Sequence, residues 1–180
     1  MKNILLLGLF VMSLSTMPSL AKLETIQIGN HTVSMNIPNY PQYYISSTVL
    51  NNQEAITIKF NQSLLRTLFI GLESITATIY DYPEGRNETF AAMRNRLTNW
   101  GWANFPGNFT LYPKNMVGTT GIVIEHPYSA LYNSIDVLDA VAYLDTDSSG
   151  RSKALLEVIS DYDRIVTGTI IDSMVVKRNK

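Results

Sequence analysis

Apolar residues recur at every second position in one run after another of this chain. In Thr32-Val33-Ser34-Met35-Asn36-Ile37 the alternation ends at Pro38, and the same period returns in Ile56-Thr57-Ile58-Lys59-Phe60 and in Ile75-Thr76-Ala77-Thr78-Ile79-Tyr80. Successive side chains of a strand point to opposite faces, so each run places one face on a core and the other toward solvent. Val117 to Ile124, Ile135 to Leu144 and Ala154 to Ser160 are rich in residues that suit a pleated surface and bring the expected set to about six strands.

Two segments change period. Phe90, Met93, Leu97 and Trp100 fall at helical spacing between Asn87, read as the N-cap, and Gly101, read as the stop. A second helix is expected from Asp161 or Asp163, with Ile165, Val166, Thr169, Ile170, Ser173 and Met174 along one stripe. Lys177 and Arg178 would then complement the dipole at its C-terminal end. Residues 63 to 72 fit either a short amphipathic helix or a sheet-edge loop. Crossover helices are too few for a parallel sheet, so the expected class is α+β, a largely antiparallel sheet packed by two or three helices. With no repeat or low-complexity linker, residues 22–180 read as one domain.

Residues 1 to 21 have the parts of a secretory signal: Lys2, an apolar run from Ile4 to Leu14, and Ser19-Leu20-Ala21 as a small-x-small cleavage site. The run is about 11 residues against the roughly 20 needed to span a membrane. The expectation is export, a mature start at Lys22, and a soluble product with no membrane span. Of 14 basic side chains only Lys2 would be lost, leaving 13 against 15 acidic and a net charge of −2. Basic residues cluster only at Lys177, Arg178 and Lys180, which argues against nucleic acid as a partner. The chain has no cysteine, which excludes disulfides, thiol nucleophiles and Cys-ligated zinc. No cofactor motif is present, and no cofactor is expected.

The strand ending in Ile37-Pro38, the mid-chain helix, the strands joined by short turns and the closing Ile170-Ile171-Asp172-Ser173-Met174 unit together resemble the PsbP-like superfamily. The resemblance spans most of residues 24 to 178. It implies an α/β/α sandwich, an antiparallel sheet with helices on its faces, and a function as a non-enzymatic partner of larger assemblies. No binding residue of that family maps onto a position here.

The chemistry-bearing residues are few. Asp145, Asp147 and Ser149, followed by Gly150, match the opening of a calcium loop, but the closing acid is replaced by Leu156; a polar turn is the expected reading and a calcium site the alternative. The two histidines, His31 and His126, lack zinc-motif spacing and read as surface or strand-end residues. Asp136, Asp139 and Glu157 lie on strands, where paired carboxyls serve glycosidases but acids on an exposed sheet face are commoner. No GxSxG elbow supports a serine hydrolase.

The run from Trp100 to Phe109 contains Trp102, Phe105 and Phe109 among Gly and Pro residues. Such rings form either a lid over the end of the core or a platform for a protein or glycan partner, with Trp100 on the buried helix face. Tyr40, Tyr43 and Tyr44 around Pro41 allow the same two readings. Sequons at Asn30, Asn61, Asn87 and Asn108 leave glycosylation open in an exported chain. The leading functional expectation is an exported, non-catalytic binding or accessory module. An extracytoplasmic hydrolase of glycans or esters, or a calcium-binding protein using residues 145–150, are the alternatives.

Overall fold

The computed structural model describes residues 21–39, 42–50, 53–60, 74–129 and 132–179, with backbone alone for 128–129 and 132–136. Residues 1–20, which hold most of the expected signal, residues 63–72, Tyr40, the Asn61 sequon and the Asp136 side chain lie outside the described set. The described chain runs β1 (Ala21–Ile28), β2 (His31–Pro38), β3 (Tyr43–Leu50), β4 (Gln53–Phe60), β5 (Ser74–Arg86), α1 (Phe90–Asn104), β6 (Thr110–Met116), β7 (Thr119–Ser129), β8 (Tyr132–Thr146), β9 (Ser152–Ser160), α2 (Arg164–Ser173) and β10 (Val175–Arg178). Every pairing is antiparallel. A seven-stranded sheet has the order β3-β4-β5-β9-β8-β7-β6, and a three-stranded sheet the order β1-β2-β10.

Largely antiparallel sheet is thus the architecture, with more strands than the six expected. The Thr32–Ile37 run is the second strand, paired with β1 from Ala21↔Pro38 to Ile28↔His31. The inward phase of the large sheet places Ile56, Ile58, Ile75, Ile79, Ala140, Leu156 and Val158 in a core shared with Val33, Met35 and Ile37 of β2 and Ile170, Ile171 and Met174 around α2. The opposite phase of the large sheet contributes Ile122, Val141, Tyr143 and Leu155 to a second core, which α1 closes with Met93 and Leu97. One sheet therefore serves two cores, which is why β8 is apolar from Val137 to Leu144 at every position but Asp139. Each aliphatic side chain removed from water in this way contributes about 1.5–3 kcal/mol.

The first helix departs from both of its expected ends, and the second, which begins at Asp163 as expected, departs at its C-terminal end. Thr89, not Asn87, caps α1, its hydroxyl accepting from the Ala92 N–H at 3.2 Å. The helix continues through Gly101, where the missing Cβ makes room for the Phe109 ring. Asp163 caps α2 by accepting from the N–H groups of Ile165 and Val166. Ile165, 80% exposed, and Thr169 face outward, so the buried stripe shifts from the expected one to Thr167, Ile170 and Ile171, followed by Met174. The Thr167 hydroxyl meets that of Ser160 at 2.7 Å, satisfying both inside the core. At Met174 the backbone turns extended and Val175–Arg178 pair with β2, so Lys177 and Arg178 belong to a strand and not to a helix terminus.

Candidate functional site

The C-terminal end of α1 presents the aromatic residues singled out in the sequence. Trp102 is 57% exposed and meets Phe109 edge to face, with ring centroids 5.6 Å apart. Phe105 stacks on His126 at 4.2 Å, and Trp100 meets both rings edge-on. A lid over the core would bury these rings. Trp100 is instead 39% exposed, which corrects its assignment to the buried face, and only Met93, Leu97 and Gly101 of α1 are buried. Beside the rings opens a cleft of about 280 Å³ lined by Asn108, Phe109, Thr110, Glu125, His126 and Pro127. Its polar wall is fixed from outside, because Glu125 accepts from Tyr112 at 2.6 Å and pairs with Arg164 at 2.7 Å. The tyrosines near Pro41 divide: Tyr43 donates to Glu24 at 2.8 Å, while Tyr44 is exposed.

Beneath α1 lie the strand acids. Asp139 is buried, against the expectation of an exposed sheet face, and its Oδ1 has no hydrogen-bond partner. Burial first, then the charge of Glu157, pushes its pKa up to about 7, with Arg96 opposing. Glu157 lies diagonal to it across β8 and β9 and accepts from the Tyr80 hydroxyl at 2.8 Å. Glu88 accepts from both Tyr143 and Arg96, and the arginine holds its pKa below the usual carboxylate range. The acids on this face are engaged with tyrosines, with an arginine or with burial.

A third cluster sits where the two sheets meet. His31, expected as a surface or strand-end residue, does open β2, but its side chain is fully buried. Its Nδ1 lies 2.8 Å from Glu54 Oε2, and Glu54 Oε1 accepts from the Asn30 N–H at 2.7 Å. Gly29, at φ +48°, makes the β1–β2 turn, and any Cβ there would collide with the Glu54 carboxylate. Asp81 accepts from the Asn30 side chain at 3.1 Å and faces Arg178 at 3.2 Å. His31, Glu54 and Asp81 bring ligand atoms within 4.8 Å of one another. Sequence reasoning misses this cluster, although a signal exists in the strand phase. His31 keeps phase with Val33, Met35 and Ile37, Glu54 with Ile56 and Ile58, and Asp81 with Ile75, Ala77 and Ile79.

The residues of the 145–150 turn separate. Asp147 Oδ1 accepts from the Ser149 N–H and hydroxyl and from the Arg151 N–H, a self-contained turn that lowers its pKa. Asp145 takes a left-handed φ of +51° and directs its carboxylate toward His31 Nε2, at 3.9 Å. Asp145 and Asp147 thus serve different neighbourhoods.

No protein-family model, curated protein or solved structure matches this chain. Among the described residues, no helix is long and apolar enough to cross a membrane.

Proposed function

We propose that the protein is an exported, non-catalytic binding module that recognises a glycan at the aromatic end of α1. The observation that carries this reading is Trp102, more than half exposed yet held in place against Phe109. A preset ring offers wide apolar area to the C–H face of a sugar at little entropic cost. Asn108, Thr110 and Glu125 line the adjoining cleft and supply donors and acceptors for hydroxyl groups. The leader-like residues 1–21 support export, and the resemblance to PsbP-like proteins supports a non-catalytic role. A hydrolase would need Asp139 and Glu157 open to substrate, whereas Asp139 is enclosed and Glu157 is bonded to Tyr80.

A panel of immobilised polysaccharides and envelope glycans tests the proposal. At least one should retain the protein, and Trp102→Ala should weaken retention at least tenfold without altering the circular dichroism spectrum. Equal retention of the native protein and the variant, or none of either, would contradict it.

A further inference from the structure

The charge balance of the cluster at the sheet junction is incomplete. Glu54, Asp81 and Asp145 supply three carboxylates against one guanidinium, Arg178. With a neutral imidazole, two negative charges are left over, the amount a divalent cation offsets.

The second observation is the histidine itself. His31 is fully buried, and its Nε2 has no hydrogen-bond partner. That nitrogen is aimed between Asp81 Oδ1 at 4.0 Å and Asp145 Oδ2 at 3.9 Å. Both separations are too long for a hydrogen bond. They are close to the spacing of two ligands that share one ion, since atoms about 2.1 Å from a tetrahedral zinc stand about 3.4 Å apart. A contraction of about half an ångström would bring each aspartate oxygen to that spacing from Nε2. Asp145 has the freedom to make it, because its side chain is 36% exposed near the end of β8.

The remaining side chains fit the outer sphere of such a site. With Nδ1–H donating to Glu54, the imidazole is held in the tautomer that leaves the Nε2 lone pair free, the arrangement in which a carboxylate orients a metal-binding histidine. Glu54 is in turn fixed by the Asn30 N–H, in a turn that only Gly29 permits. An imidazole nitrogen with two carboxylates suits a first-row transition ion better than calcium or magnesium, which take oxygen ligands.

We propose that His31 Nε2, Asp81 and Asp145 bind one divalent first-row transition ion, with Glu54 orienting the imidazole and Arg178 at the rim pairing with the two aspartates. The site joins β2, β5 and the end of β8, so the ion would tie the small sheet to the large one. It is separate from the aromatic surface and does not depend on the glycan reading.

The experiment is calorimetric titration of chelator-stripped protein with zinc(II), with calcium(II) and magnesium(II) as parallel arms. One saturable zinc site per chain is expected, with affinity at least a hundredfold above that for calcium or magnesium. Asp145→Asn, at a partly exposed position, should weaken zinc binding at least tenfold while the fold is retained, as judged by circular dichroism. Glu54→Gln should weaken it by about 10–100-fold through loss of orientation, and His126→Gln should leave it unchanged. Absence of a one-to-one site, a preference for calcium, or binding that survives Asp145→Asn but is lost in His126→Gln would overturn the proposal and leave an ion-pair network only.

Discussion

Asp139→Asn tests the electrostatics beneath α1. The folded protein raises this carboxyl from 3.8 to about 7, through burial and then the charge of Glu157. Between these values the native state holds a proton that the unfolded chain releases, so stability falls as pH rises through that window and levels off above about 7. The shift corresponds to about 4 kcal/mol at full development, an upper figure. Asparagine removes the titration but brings an amide whose own hydrogen bonds cost about 1–3 kcal/mol if unmade. That cost is independent of pH and cancels when the variant is compared with the native protein at two pH values. Urea unfolding at pH 4.5 and pH 8 should show the stability of the variant improving relative to the native protein by about 3 kcal/mol between them. Parallel stability curves for the two proteins would refute the assignment of a buried, proton-retaining Asp139.

Ile170→Ala, at a fully buried position of α2, should cost about 2–5 kcal/mol, whereas Ile165→Ala, 80% exposed on the same helix, should change stability by no more than about 0.5 kcal/mol; thermal unfolding of both variants reads the difference. Calcium at about 1 mM should leave the Tm within a degree, because Asp147 is already engaged by its own turn; a rise of several degrees, abolished by Asp147→Ala, would reinstate the loop as a cation site. Mass spectrometry of the protein from its native envelope should find Lys22 at the N-terminus, and an intact Met1 would rule out cleavage after Ala21.

Alternation made β2, β4 and β5 legible, since each buries one phase of an apolar run, whereas β8 and β9 were legible as continuous apolar runs that bury both faces. It failed for β1, which straddles the expected cleavage point and leaves Leu23 64% exposed on an edge strand. It failed also for β10, four residues that continue the β-branched run of α2 and separate from it only at the extended Met174. The aromatic cluster was legible as a group, but its exposure depended on the path of residues 105–109 back across Gly101. Burial of His31 was concealed by its polar neighbours in the Gly29-Asn30 turn, although its phase in β2 pointed inward. The approach of Asp145 to His31 is a tertiary event across about a hundred residues and had no local signal.

Recognition at Trp102 can be followed residue by residue, because the chain has two tryptophans. In a nitrogen-15 spectrum the two indole N–H resonances are assigned with Trp102→Phe and then followed during titration with the retained glycan. The Trp102 resonance should shift saturably, together with backbone amides of Asn108 to Thr110, while the amides around His31 stay in place. Saturation that moves resonances elsewhere and leaves Trp102 unchanged would contradict the account.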